Sequence, residues 1–119
     1  MNRYKLVKAG IDVNQGIRRF NEDRALYERF LSTFPEDMHY LAMIEAIDKK
    51  DVKEAFQASH ALKGIAGNLS LVALHADLIP LVELFRADEI EGVDELLTPV
   101  RNSYEQVVKV IKEATDPTI

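Results

Sequence analysis

The apolar residues recur at helical spacing along almost the whole chain, and this spacing is what most constrains the fold. The clearest case lies near the C-terminus, where one stripe is made of Leu96, Leu97, Val100, Tyr104, Val107, Val108 and Ile111. The strand-like alternation of β-branched residues is missing. The sequence therefore predicts an all-α protein whose helices bury apolar stripes against one another.

Capping residues and prolines divide the first half of the chain into helices. Asp12 is a plausible N-cap for a short helix over about residues 13–20. Asn21 can cap the next helix, with Glu22 and Asp23 in its first turn, where negative charge suits the helix dipole. Pro35 either opens a new helix or kinks a long one that runs to about residue 47.

The second half of the chain reads as three long helices joined by short polar turns. They are predicted over about residues 52–69, 72–87 and 93–114, with a kink at Pro80 and a frayed tail at 115–119. Four long amphipathic helices with short connections predict an antiparallel four-helix bundle, with an additional short N-terminal helix across one end or side. We expect one domain over residues 1–119, with its core at about 11–114.

Charge and composition exclude several classes of function. The net charge is −5 and no basic run exceeds two residues, so we expect no nucleic-acid partner. The absence of cysteine excludes disulfides and thiolate metal sites. The N-terminal residues lack the apolar central run of a secretory signal, and no apolar stretch approaches the roughly 20 residues that cross a membrane. We expect a cytoplasmic protein, or a cytoplasmic piece of a larger one, that is monomeric and does not associate with membranes.

The third long helix contains the unusual stretch "SHALKGIAGNLS", residues 59–70, with a glycine at 64 and another at 67. Each glycine destabilises a helix interior by roughly 0.5–1 kcal/mol relative to alanine. At about 100° per residue, His60 lies roughly 140° from the centre of the core-facing side, and both glycines follow it on the solvent side. They would leave the helix surface bare beside the imidazole; alternatively, they would permit close packing of the short first helix.

An exposed imidazole beside a lysine suits phosphoryl chemistry. Neutral imidazole is a good nucleophile near pH 7, and Lys63 at the edge of the stripe could stabilise the negative charge of a phosphoryl group. The chain has no P-loop or kinase-type glycine loop. His60 could therefore receive a phosphoryl group and pass it on, but could not readily take one from ATP unaided.

The string from His60 to Leu69 resembles the signature of histidine-containing phosphotransfer (HPt) domains, and "GIDVNQGIRRFNEDRALYERFLSTF" is similar to their usual lead-in. The resemblance covers about residues 11–113. It implies a four-helix bundle that relays phosphoryl groups between receiver-domain aspartates in multistep two-component signalling. His60 would be the phospho-acceptor, Lys63 the stabilising cation and Gly64 the residue that gives access.

The resemblance also implies partners. These would be receiver domains of response regulators or of hybrid sensor histidine kinases, docking over Phe56, Gln57, Gly67 and Asn68. We expect Mg²⁺ on the receiver, no cofactor or metal on this chain, and no kinase activity of its own. Many members place a Gln or Glu from the following helix near the histidine; here that position is Val82, with Glu83 beside it as a candidate.

Other interpretations of the same residues stay open at the level of sequence. The competing function is a non-catalytic helical adaptor that docks a receiver without phosphotransfer. A weaker one is a metal–carboxylate bundle, since Glu36 and His39 form one Glu-x-x-His pair and His75 has Asp77 nearby. Arg18, Arg19 and Phe20 either border a docking face or belong to an ordinary surface helix.

Overall fold

The computed structural model describes residues 1–115, except for the side chain of Thr115, and the predicted frayed tail falls otherwise outside this range. The described chain is all-α, as predicted. Its α-helices are α1 (Arg3–Lys8), α2 (Val13–Arg19), α3 (Arg24–Thr33), α4 (His39–Asp48), α5 (Val52–Asn68), α6 (Val72–Arg86) and α7 (Val93–Thr115), with a 3₁₀ helix at Phe34–Glu36.

The long helices pack in chain order as an antiparallel bundle. Helix α5 packs between α4 and α6, α6 packs against α7, and α3 with the 3₁₀ helix closes the ring against α7. Large side chains with almost no exposed surface fill the centre; they include Tyr27, Leu31, Phe34, Met43, Leu62, Leu74, Leu78, Leu81 and Ile111. The core residues of α5 thus face inward between two neighbours, and its opposite side is left to solvent.

Pro35 ends α3 rather than kinking it. It lies in the 3₁₀ helix between α3 and α4, because a proline has no N–H for the helical ladder and its ring clashes with the preceding turn. Helix α4 then starts afresh at His39, whose N–H donates to Asp37 Oδ1 at 2.9 Å. In contrast, Pro80 lies inside α6, which continues to Arg86.

The N-terminal region differs from the prediction in two respects. Helix α1 was not predicted; it buries Leu6, and Lys5 Nζ lies 3.5 Å from Glu113 Oε2 of α7. The predicted cap at Asn21 is wrong. Asn21 and Glu22 have positive φ values of 56° and 63°, and Asp23 caps α3 by accepting from the Leu26 N–H at 3.0 Å.

Candidate functional site

Helix α5 begins at an aspartate cap and presents one face to solvent along its whole length. The Asp51 carboxylate accepts from the Glu54 N–H at 3.1 Å, which fixes the first turn. We call the solvent side the outer face; its exposed members are Lys53, Gln57, His60, Gly64 and Asn68, and its half-buried members are Phe56, Lys63 and Gly67. His60 is exposed near the middle of the helix, as the helical wheel predicts.

The imidazole of His60 is held by one aromatic contact. The ring of Phe56, one turn earlier, lies edge-on to it, with centroids 5.5 Å apart and planes at 71°. Within residues 1–115 the His60 ring forms no hydrogen bond or ion pair. Its nitrogens are therefore open to an incoming group, and Phe56 limits how the ring can turn.

The two glycines of the outer face serve different purposes. A Cβ added to Gly64 would meet no atom within 4 Å, so this position is open surface beside His60. A Cβ on Gly67 would lie 3.3 Å from Cδ2 of His75, so Gly67 lets a side chain of α6 approach α5 closely. The expectation of bare surface is right for Gly64 and wrong for Gly67. The helix that approaches at Gly67 is α6, not the short first helix.

Lys63 supplies a positive charge at the edge of the outer face. It lies three residues after His60, a spacing that makes side chains neighbours on a helix surface. The part of the chain that the structure describes contains no carboxylate within ion-pair distance of Lys63. Its ammonium group is therefore available to an anion beside His60.

Helix α6 brings a second cation toward the same place. Val82 is fully buried and Glu83 is exposed, with its Oε1 accepting from Arg86 Nε at 3.2 Å. The Arg86 guanidinium carbon lies 5.0 Å from the centre of the Phe56 ring. Contacts therefore run from Glu83 through Arg86 and Phe56 to His60. Sequence reasoning missed Arg86; the only signal was its position one turn after Val82.

A pocket of about 660 Å³ adjoins the C-terminal end of the outer face. It is bordered by Asn68 of α5, by Phe30 of α3, which is 46% exposed, by Arg19 at the end of α2 and by Phe20, which follows it. The Phe20 and Phe30 rings lie 5.5 Å apart between centroids. The structure thus brings Asn68 next to Arg19 and Phe20, which the sequence placed in a different helix.

The opposite side of the C-terminal end of α5 is connected to the N-terminal region and α3 by hydrogen bonds, of which the one from Tyr27 is buried. The Tyr27 hydroxyl donates to the Leu69 carbonyl at 2.8 Å, and the Ser70 hydroxyl donates to Gln15 Oε1 at 2.8 Å. The Asp12 N–H donates to the Ser70 carbonyl at 2.9 Å. Burial, and secondarily the Asp12 charge, raises the pKa of Tyr27 far above its usual value. We call this set of contacts the inner seam.

The other two histidines have different surroundings. His39 Nδ1 lies 2.9 and 3.1 Å from the two carboxylate oxygens of Asp37. Glu36 belongs to the 3₁₀ helix whereas His39 starts α4, so the two do not form a pair on one helix. Asp77 accepts a hydrogen bond from Ser103 of α7. Residues 1–115 contain no group of three or more His, Asp or Glu side chains placed to hold a metal ion.

Comparison with known proteins gives one clear finding. A protein-family model described as "Hpt domain" matches residues 25–110, which include all of α4, α5 and α6. No curated protein and no solved structure matches the chain significantly. Separately, none of the described helices is both long and apolar enough to span a bilayer.

Proposed function

The chain belongs to the Hpt domain family, and we propose that His60 is the residue through which it relays phosphoryl groups between receiver aspartates. Hpt domains are histidine phosphotransfer intermediates of phosphorelays and generally interact with receiver domains. The observation that carries the proposal is the exposed, unbonded imidazole of His60, which has open space at Gly64.

The transfer step needs little from this chain beyond a positioned nucleophile. The lone pair of one His60 ring nitrogen attacks the phosphorus of a receiver aspartyl phosphate, and the N–P bond forms as the P–O bond to the carboxylate breaks. The aspartate leaves as carboxylate, and the ring keeps its proton on the other nitrogen. The reverse step passes the phosphoryl group to a second receiver. The receiver is expected to supply Mg²⁺ and the acidic pocket.

The neighbours of His60 have separate roles in this step. Gly64 lets the receiver backbone and the phosphoryl group approach without meeting a side chain. Lys63 places an ammonium group beside the dianionic phosphoryl group once it is on the ring. Phe56 restricts rotation of the imidazole through their edge-on contact.

The receiver is proposed to dock over the outer face and the adjoining pocket. Phe56, Gln57, Gly67 and Asn68 lie along that face, and the pocket offers the apolar rings of Phe20 and Phe30. Lys53 and Lys63 make the face locally positive on a chain of net charge −5. This charge would steer an acidic receiver site toward His60.

A transfer assay tests the proposal. The purified chain is mixed with phosphorylated receiver domains from its own organism, and acid-labile, alkali-stable phosphate on the chain is followed with time. We expect transfer to the wild type and none to His60→Gln. His39→Gln is the matched control, because it removes an imidazole away from the outer face and should transfer like the wild type.

Binding without transfer would favour the alternative function, a helical adaptor. Receiver binding is therefore measured on the same samples by calorimetry. Binding of a receiver to both wild type and His60→Gln, with no phosphate appearing on the wild type from any receiver, would replace the relay by an adaptor.

A further inference from the structure

Arg86 is the one guanidinium of the described chain that touches the immediate surroundings of His60. Its guanidinium lies over the same Phe56 ring whose contact holds the imidazole. One aromatic ring therefore links the cation of α6 to the nucleophile of α5. Arg86 is exposed, so its long side chain can change position without disturbing the core.

In the unphosphorylated protein this cation has a weak partner. Arg86 Nε donates to Glu83 Oε1 at 3.2 Å, and both side chains are about half exposed, 48% and 56%. An exposed pair of this kind contributes only about 0–1 kcal/mol. A phosphoryl group on His60 carries about two negative charges and three acceptor oxygens, so it is a stronger partner for a guanidinium than one exposed carboxylate.

We propose that phosphorylation of His60 moves Arg86 from Glu83 to the phosphoryl group. Arg86 is then the second cation of the phosphorylated site, beside Lys63, and Glu83 is a positioning residue that holds it near Phe56 until the phosphoryl group arrives. This inference rests on the proposed function of His60. It also gives α6 a part in the site although its Val82 is buried and offers no hydrogen bond to the ring.

The test uses phosphoramidate, a small donor that phosphorylates imidazoles and needs no receiver. The His60 nitrogen attacks phosphorus, the N–P bond forms, and the P–N bond to the leaving ammonia breaks. The ³¹P signal of the phosphorylated chain is then followed from near-neutral to alkaline pH, where the N–P bond is stable, which gives the acid dissociation constant of the phosphorylated imidazole. A nearby cation disfavours the form that carries the additional proton and so raises this constant.

We expect Arg86→Gln to lower the acid dissociation constant about threefold, and Glu83→Gln to raise it about twofold by freeing Arg86. The double variant should equal Arg86→Gln, because Glu83 acts through Arg86. Arg101→Gln and Glu105→Gln, which make the same charge changes at exposed positions of α7, should match the wild type. The difference between wild type and Arg86→Gln should shrink as salt is added.

The outcomes separate the two claims. If His60 is phosphorylated but Arg86→Gln leaves the dissociation constant at the wild-type value, the inference is overturned and the relay proposal stands. If Glu83→Gln raises the constant equally with and without Arg86, Glu83 acts directly on the phosphoryl group and the exchange is also overturned. If phosphoramidate places no phosphoryl group on His60, both proposals fail together.

Discussion

The outer face of α5 and the inner seam at its C-terminal end are built in opposite ways. On the outer face, a Cβ at Gly64 would find open space and the His60 ring has no polar partner in the described chain. At the inner seam, Tyr27 is fully buried and its hydroxyl is bonded to the Leu69 carbonyl. We infer that the inner seam holds α5 in position, so that the outer face needs no packed side chains to support it.

The glycines show the difference most directly. Gly16 of α2 faces the Tyr27 ring so closely that an added Cβ would lie 2.3 Å from its carbon atoms. A Cβ added to Gly64 would meet no atom within 4 Å, and one added to Gly67 would have its nearest neighbour at an intermediate distance of 3.3 Å. The same residue type therefore marks close packing at the inner seam and access on the outer face, and only the surroundings distinguish the two.

The largest expected effect is that of Gly16→Ala. The added methyl must displace the buried Tyr27 ring, so we expect the free energy of unfolding to fall by about 3 kcal/mol, as for overpacked cores. Urea unfolding followed by circular dichroism measures this. If the free energy of unfolding falls by less than it does for an ordinary surface substitution, the Tyr27 ring of the inner seam is loosely packed against Gly16.

Tyr27→Phe should have the next largest effect. It removes the hydroxyl that donates to the Leu69 carbonyl and leaves a buried acceptor without that donor, so we expect a loss of about 1.5 kcal/mol. The same unfolding experiment applies, with Tyr4→Phe, on an exposed ring of α1, as the matched control. Equal stability of the two variants would show that the bond does not stabilise the seam.

The raised pKa of Tyr27 also predicts a loss of stability at alkaline pH. The native tyrosine stays protonated where the unfolded one, with a pKa of about 10, ionises. The unfolded state then binds fewer protons, so the free energy of unfolding falls by up to about 1.4 kcal/mol per pH unit above that value. Burial, then Tyr40 and Asp37, also raise the pKa of Tyr104, which adds to the slope.

Unfolding curves between pH 8 and 11, roughly the range in which a free tyrosine titrates, separate the two tyrosines. Tyr27→Phe should make the free energy of unfolding fall less steeply with pH, and the remaining fall should be the part due to Tyr104. A slope that is the same in wild type and Tyr27→Phe would contradict the assignment to Tyr27.

Gly64→Ala should stabilise the protein, whereas the same substitution at Gly16 should destabilise it. Alanine is the better helix former and its methyl meets no atom, so we expect a gain of about 0.5–1 kcal/mol. Thermal and urea unfolding both measure it. A loss of stability would mean that the outer face is covered in solution.

The smallest expected effect is that of Gly67→Ala. The helix-propensity gain of up to about 1 kcal/mol is offset by the contact of the new methyl with the His75 ring, giving a net change near zero. In the double variant with His75→Ala, the new methyl meets no ring, so the stabilisation from helix propensity should be observed in full. If the single variant is already as stable as Gly64→Ala, the His75 ring moves away freely and Gly67 belongs with the open part of the outer face.

Much of this fold could be predicted from apolar spacing and caps. The bounds of α5 and α7 agree with the predicted helices within a residue or so, because each carries a long stripe with clear turn residues at its ends. Helix α1 could not be predicted because one buried leucine in six residues gives no periodicity. The left-handed backbone at Asn21 and Glu22 depends on how α2 and α3 pack.

The site was predictable only as far as one helix defines it. A helical wheel places His60, Lys63 and Gly64 on one side, and the structure leaves that side exposed or half-exposed. A helical wheel cannot show which side chains of a neighbouring helix contact that side. The approach of His75 to Gly67 and of Arg86 to Phe56 depends on the register between α5 and α6.

Mapping the phosphorylated residue tests whether His60 is the phospho-acceptor. The chain contains three histidines, and only His60 lies in the middle of the outer face with open space beside it. After transfer from a phosphorylated receiver, tandem mass spectrometry under alkaline conditions should locate the phosphoryl group on His60 alone. A phosphoryl group on His39 or His75, with His60 unmodified, would show that His60 is not the phospho-acceptor.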